Sequence, residues 1–482
     1  MRFLSPVFYP LGLLLLALAG AMFLTAWLDV ANAGWRWSGF FLSSFFTAFA
    51  GAALALMFRG TRIRLTLRQG FLLTVVAWFT ASIFGALPFV FGPLKLTLAD
   101  AVFESVSGLT TTGSTVLSGL NDMPASILLW RSFLQWLGGI GIIGMSIALL
   151  PFLQVGGMQL FEIERSDGPD KVLPRPGQIA AGILGIYVAM TVACGVLYEF
   201  FGMSMFEAAN HAMTTIATGG YAVLDSSFGG YGGAIQWTAT VFMALAALPF
   251  LLYLRLLVGG SESARLFLDS QVRLFLILIS ALTVILSFWL MFHGHAVEFS
   301  LRQAAFNIVS VITTTGFASA DYTLWGAFPV GLFFVLTFIG GCTGSTAGGI
   351  KIFRFEILSR LVAWRFKRLT SPNRMIPETY GGKRIDQQLK DDVTTFFALF
   401  VLCFLGVALA LAMIGLDFAT AFSGAATALA NVGPGIGDII GPAGNFQSLP
   451  DAAKWTLVFA MLLGRLELFP ILVFLSPAYW RR

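Results

Sequence analysis

Apolar and polar stretches alternate on a coarse scale along this chain. Apolar runs near 8–30 and 38–58 come first, and four similar units follow. Each unit reads as a long apolar helix, a short half-helix ending in polar residues, a loop, and a second long helix. The flanking helices are expected near 70–92 and 125–150, 178–202 and 234–258, 271–293 and 327–358, and 392–415 and 452–475. Many windows reach the roughly 20 apolar residues that cross a bilayer. The half-helices do not. The stretch from Ser300 to Gly316 is one of them. It opens on a capping-box signature, Ser300 with Gln303 three residues on, continues apolar, and ends in three threonines and a glycine.

The half-helices share a register. Aligned on Gly113, Gly220, Gly316 and Gly433, the candidate caps Thr97, Ser204, Ser300 and Asp417 all lie sixteen residues earlier. Ala101, Ala208, Ala304 and Ala421 lie twelve residues earlier. Thr111, Thr218 and Thr314 lie two residues earlier, with Asn431 in the fourth unit. A repeat at fixed order is an architectural signal. Two crossings per unit give every unit the same orientation, so the repeats are parallel and related by an axis along the membrane normal. The expected fold is an all-α polytopic membrane protein with two extra N-terminal helices (residues 1–60). Four repeats follow, at 61–151, 152–258, 259–358 and 359–482, the second and fourth each beginning with a cytoplasmic linker.

Composition agrees. The chain is 57% hydrophobic and 11% charged, with 48 phenylalanines, against roughly 45–50% and about 25% in soluble domains. The N-terminal run has few preceding charges and no clear cleavage site, and reads as a retained helix. Cys194, Cys342 and Cys403 lack motif spacing, which argues against a disulfide framework or a zinc site. The net charge of +5 reflects topology and not nucleic-acid binding. Of 29 Lys and Arg, 23 fall on one side, in Arg2, Arg59–Arg68, the linkers 152–177, 255–273 and 351–390, and Arg481–Arg482. Arg36, Lys95, Arg302 and Lys454 fall on the other, and Arg131 and Arg465 lie within helices. The basic side is expected in the cytoplasm, with both termini. The outer face is then net negative, which concentrates cations at the mouth.

The loops carry the chemistry. Non-helical backbone at membrane depth is tolerated where it is buried in protein or lines a wet cavity. A dehydrated cation needs oxygen dipoles in place of its water, and rings of backbone carbonyls supply them. Glycine reaches backbone conformations that direct carbonyls inward, the threonines add hydroxyl acceptors, and the partially negative helix C-termini aim at the pore centre. One such glycine alone reads equally well as a packing or turn residue; four in register read as a ring. Glu104 and Glu207 are expected to cap or stabilise their loops, and His211 to be buried and hydrogen-bonded. Arg131, beside Trp130, reads as an anchor or as a functional residue.

Thr-Thr-Thr-Gly113, Ala-Thr-Gly-Gly220-Tyr, Thr-Thr-Thr-Gly316-Phe and Asn-Val-Gly433-Pro-Gly resemble the selectivity-filter segments of the Trk/Ktr/HKT potassium-transporter superfamily. The stretch Arg131-Ser-Phe-Leu-Gln-Trp-Leu-Gly-Gly-Ile-Gly-Ile resembles it too. The likeness covers nearly the whole chain, and the two extra N-terminal helices match the bacterial TrkH-type branch. It implies potassium uptake through a gated, channel-like pore in the bacterial inner membrane. K+ would bind at a filter of Thr111, Thr112, Gly113, Thr218, Gly219, Gly220, Thr314, Thr315, Gly316, Asn431, Val432 and Gly433. It also implies a homodimer and a cytoplasmic TrkA-type nucleotide-binding regulatory ring, with no organic cofactor on this chain. A serine at the first glycine is the sodium-preferring variant in that superfamily; this chain has Gly113 there.

After Phe338 the chain reads Ile-Gly-Gly-Cys-Thr-Gly-Ser-Thr-Ala-Gly-Gly-Ile-Lys351. Each glycine costs a helix about 1 kcal/mol relative to alanine, so Gly340–Gly349 is expected as a loop below the filter. A close helix-packing face of small residues is the other reading. The resemblance implies a gate at 340–350, made of Gly340, Gly341, Cys342, Thr343, Gly344, Ser345, Thr346, Ala347, Gly348 and Gly349, with Lys351 and Arg465. An arginine in a span usually faces the bundle interior, although a snorkelling Arg465 fits as well. The basic linker 351–390 fits an anionic lipid surface or a soluble partner. No Walker loop, dinucleotide fingerprint or metal-protease motif is present, so nucleotide control would come from another chain. The spans hold no acid/base or metal cluster at catalytic spacing, so the chain does not read as an enzyme. A proton- or sodium-coupled symporter is the alternative, with only His211, Glu104 and Glu207 near the pore to carry the coupling.

Overall fold

The computed structural model describes residues 5–33, 39–60, 66–149, 176–258, 269–371, 379–380 and 383–480. Residues 1–4, 61–65, 150–175, 259–268, 372–378 and 481–482, which carry part of the basic side expected above, lie outside the described residues. Two N-terminal helices, Ser5–Ala33 and Gly39–Met57, pack along each other. Each of the four units then contributes a long helix, beginning with Leu67–Phe91, Pro176–Phe200, Ser270–Phe292 and Gln387–Ile414. Among the described residues, seven helices are long and apolar enough to cross a membrane, or up to nine if each of two bent pairs is counted as one span. One departure from all-α structure is a short antiparallel ribbon, Thr379–Tyr380 with Lys383–Arg384, that packs with Phe353, Ile357 and Trp364.

The four short helices are Leu98–Leu109, Met205–Ile216, Val297–Ile312 and Phe418–Ala430. At 1.5 Å per residue, their 12, 12, 16 and 13 residues cover about 18–24 Å, well short of a bilayer core of about 30 Å. Three begin at the expected cap. Thr97 accepts from the Asp100 amide, Ser204 from Glu207 in a full capping box, and Asp417 from Thr420. The hydrogen bonds from Thr420 hold the Asp417 carboxyl below the usual carboxylate range. The third is a correction. Its cap is Ala296, so Ser300 is a buried residue one turn inside the helix. Gln303 does not reach back to Ser300; it accepts from the Ser319 hydroxyl.

The second helices of units two and four depart from the straight spans expected at 234–258 and 452–475, and that of unit three, 327–358, breaks at the expected loop. In unit two, Gly233–Ala246 and Phe250–Val258 meet at 88°. Pro249, at the break, has no amide to donate. In unit four, Asp451–Arg465 and Phe469–Leu475 meet at 113°. The corner is a γ-turn: Leu468 has φ 65° and ψ −55°, and the Phe469 amide donates to the Glu467 carbonyl at 2.8 Å, a rare and strained turn. In unit three, helix Ala327–Leu336 ends before the glycine-rich segment and Ile352–Thr370 begins after it. All three breaks face the region below the loops.

The cap assignment gives a direct check. Ser204→Ala is expected to destabilise by about 1 kcal/mol, whereas Ser300→Ala has no cap to lose and removes a buried hydroxyl that bonds nothing, so it is expected to cost less. Thermal denaturation of both variants in detergent decides this, and equal losses would contradict the cap at Ala296.

Candidate functional site

Each short helix ends in the same way. The residue two before the glycine is left-handed: Thr111 (φ 52°), Thr218 (50°), Thr314 (56°) and Asn431 (55°). Its amide bonds back three residues, to Gly108, Thr215, Val311 and Ala428. The next amide bonds back five, from Thr112 to Ser107, Gly219 to Thr214, Thr315 to Ser310 and Val432 to Thr427, at 2.8–3.0 Å. This is the Schellman ending of a helix, which normally places glycine in the left-handed position. A β-branched residue there is an outlier that costs roughly 1–2 kcal/mol, and it persists where the surroundings over-determine it. Asparagine tolerates the conformation best among non-glycine residues. The fourth unit therefore departs in side chain while keeping the same backbone.

The glycines close the four endings into a ring. Gly113, Gly220, Gly316 and Gly433 all have positive φ, from 79° to 109°. A methyl added at Gly113 would strike the Gly219 carbonyl, at Gly220 the Thr315 carbonyl, and at Gly316 the Val432 carbonyl. At Gly433 it would stand 2.7 Å from the Thr112 carbonyl. Each glycine thus lies against the residue preceding the glycine of the next unit, and the fourth returns to the first. The Ser114 hydroxyl also donates to the Gly433 carbonyl at 2.8 Å, tying unit one to unit four. A cavity on the far side of the helices touches all four glycines and includes Arg131 and Asp225 in its wall. The twelve residues expected at the filter therefore converge.

In units one and three, a polar side chain nine residues before the glycine, Glu104 and Asn307, holds the chain that leaves the ring. Buried Glu104 accepts from the Thr115 hydroxyl and the Val116 amide, both at 3.0 Å. Its charge is met by buried Arg131 at 2.7 Å. Arg131 also donates to the Ala222 carbonyl of unit two and lies over the Tyr221 ring. Arg131 is thus an anchor between two loops. In unit three, Asn307 bonds Ser319 through both amide atoms. His211, in unit two, is buried as expected, with Nδ1 donating to the Glu207 carbonyl at 2.9 Å. Glu207 caps its own helix and accepts from Tyr231. Gln135 was missed in the sequence. It donates to the Gly219 carbonyl at 2.5 Å and accepts from the Tyr221 amide at 3.0 Å. Its one signal was a lone amide among the apolar residues of its helix.

The segment Gly340–Gly349 lies under the ring as a non-helical loop, so the alternative of a helical packing face is excluded. Ile339 and Ile350 bridge across its neck. The helix break in unit two serves it. The Cys342 amide donates to the Ala247 carbonyl, the Thr346 hydroxyl contacts the Ile216 and Ala246 carbonyls, and the Phe250 amide donates to Gly344. The Thr343 amide donates to Gln271 Oε1, and the Ser345 hydroxyl donates to the Cys342 carbonyl. Buried Arg465 donates to the Thr346 carbonyl at 3.0 Å and to Gly138 of unit one at 3.4 Å, so it does not snorkel. Lys351 turns back onto the Ala347 carbonyl. Arg465 and Glu467 do not pair; Glu467 takes Arg354 at 2.5 Å.

The family model described as TrkH, cation transport protein, matches residues 38–482. The Trk system potassium uptake protein TrkI of Halomonas elongata is 49% identical over 416 residues, covering 86% of this chain and 84% of its own. The TrkH protein of Escherichia coli is 38% identical over 449 residues and 92% of each chain. The crystal structure of the potassium transporter TrkH from Vibrio parahaemolyticus superposes with a TM-score of 0.91 at 34% identity over the whole of both chains.

The buried pair yields a stability test. Glu104→Gln leaves Arg131 uncompensated and is expected to cost about 3–5 kcal/mol. The double variant Glu104→Gln/Arg131→Met should recover part of the loss. Unfolding midpoints in detergent report both, and a double variant at least as unstable as Glu104→Gln would refute the pairing.

Proposed function

The chain belongs to the TrkH family of cation transport proteins, and on that premise we propose that it conducts potassium inward through the ring of loops. It is a multi-pass membrane protein and not an enzyme. In this reading the two N-terminal helices (1–60) and the repeats 61–151, 152–258, 259–358 and 359–482 form the scaffold. The selectivity filter is the set Thr111–Gly113, Thr218–Gly220, Thr314–Gly316 and Asn431–Gly433. The observation that carries the proposal is the closed cycle of glycine-to-carbonyl contacts. It supports the reading because each unit brings a peptide carbonyl against the next, and a ring of carbonyls is what replacement of a cation's water shell requires. The loop 340–350, with Lys351 and Arg465, is the gate, because it packs against the cytoplasmic side of that ring.

The remainder of the reading concerns setting. The basic residues favour an inner-membrane orientation with both termini in the cytoplasm. A homodimer and a cytoplasmic nucleotide-binding ring of the TrkA type are the proposed partners, with the linker 351–390 on their side or on anionic lipid. A passive pore is favoured over a proton- or sodium-coupled symporter. Glu104 is committed to Arg131 and Glu207 to its helix cap, and neither is free to carry a coupling ion.

Purified protein in liposomes should take up rubidium with proton and sodium gradients collapsed. Flux only in the presence of a gradient would favour the symporter, and no flux at all would end the proposal. Gly113→Ser and Gly316→Ser each push a side chain into a neighbouring carbonyl. Both are expected to lower the rubidium-to-sodium flux ratio by about tenfold, equivalent to about 1.4 kcal/mol. An unchanged ratio in both would remove these residues from the filter.

A further inference from the structure

The residue before the ring glycine is β-branched in three units, Thr112, Thr315 and Val432, and glycine in the second, Gly219. The three units brace their loops with side chains of their own. The Thr110 and Thr112 hydroxyls lie 2.7 Å apart, as do those of Thr313 and Thr315. In unit four, the Asn431 amide nitrogen donates to the Thr112 hydroxyl and the Met461 carbonyl. Unit two has Ala217 and Gly219 where units one and three pair their threonines. Its brace comes from unit one. Buried Gln135, on helix Ala125–Leu149, fills the space, and a methyl at Gly219 would stand 2.4 Å from its Cδ and Oε1. The carboxamide forks around Gly220. Nε2 donates to the Gly219 carbonyl at 2.5 Å, and Oε1 accepts from the Tyr221 amide at 3.0 Å. The reverse orientation would set oxygen against oxygen and hydrogen against hydrogen, so the two partners fix it. Among the described residues, Gly219 offers the one seat carbonyl of the ring with a side-chain donor.

We infer that Gln135 is a positioning residue for cation selectivity: it stands in for the side chain that unit two lacks and tunes the Gly219 carbonyl. This rests on the conduction reading above and adds a residue outside the loops to those that set its preference. Gly113 is seated against the same carbonyl. One peptide of unit two is therefore held by unit one twice, from its loop and from the helix behind. The donor has two effects. It fixes where the carbonyl stands, at a glycine whose backbone is otherwise the freest of any residue. It also occupies one of the oxygen's two lone pairs and offsets part of its charge. The ligands of a bound metal are oriented and tuned by the groups behind them in the same way. Field strength is one determinant of selectivity in a carbonyl ring. A weaker field subtracts most from the ion that approaches closest, so the donor favours a larger cation over sodium.

Gln135→Met keeps the length and bulk of the side chain and removes both bonds. Rubidium and sodium uptake are measured in liposomes holding the purified full chain with no partner protein. The rubidium-to-sodium ratio is expected to fall about fivefold, the factor one hydrogen bond supports. Ser132→Ala, on the same helix, loses a buried hydrogen bond to the Leu128 carbonyl and should leave the ratio unchanged. Where Gln135→Met does not fold by gel filtration, Gly219→Ala displaces the carboxamide from the other side and should lower the ratio likewise. The double variant Gln135→Ala/Gly219→Ala returns bulk but no donor, and its ratio should stay low. An unchanged ratio in Gln135→Met, or a recovered one in the double variant, would reduce Gln135 to a space-filler. An equal fall in Ser132→Ala would trace the effect to a softened helix. Each of these overturns the inference while the conduction reading stands. If the unaltered chain passes no rubidium, both fail.

Discussion

Everything in this molecule answers to one close approach: four glycines, each seated against a carbonyl of the next unit, in a cycle that closes. No side chain fits at these seats, and the backbone there is left-handed. The contact fixes how near the four loops come to the axis. That in turn fixes where the short helices end, since the Schellman turns must deliver their last residues to it. The strain of three left-handed threonines is the visible cost. It is offset by burial and by the pins around the ring, Glu104 with Arg131, Gln135, Asn307 and Ser114.

The same constraint explains why helices break below the ring. A straight span spends its backbone on itself and leaves a neighbour only the second lone pair of its carbonyls. The breaks in units two and four release such groups at the depth where the glycine-rich loop needs them. Ala246 and Ala247 serve Thr346 and Cys342. The corner after Arg465 leaves that side chain within reach of Thr346. The loop is therefore held by units two, three and four, although its sequence belongs to the third.

Much of this was legible in the sequence, for physical reasons. The repeats were visible because a short helix at an interface needs a cap and a ring needs glycine, and both requirements recur at one spacing. The loop 340–350 was visible because glycine is a poor helix former. The cap of the third helix was misplaced because Val297–Phe299 extend it by a turn with no side-chain cap, and Ser300 is a plausible cap that happens to be buried. The breaks at 247–249 and 466–468 were hidden by continuous hydropathy; Pro249 and Pro470 were the signals, and alone they are equally compatible with a gentle kink. Gln135 was hidden because its importance lies in what it touches across the bundle. The Glu104–Arg131 pair joins residues of two different helices, which no helical periodicity relates.

The cycle of seats has a direction. Each glycine presses on the unit that follows it, and none presses on the unit before. Because the four quarters lie in one chain and not in four copies, a single codon change alters one seat and leaves three intact. In an assembly of identical subunits the same change would be made four times at once. The single-chain ring can therefore drift quarter by quarter. Asn431, in a position where its counterparts are threonines, is such a change already made: a side chain suited to the same backbone, with a different set of atoms to offer.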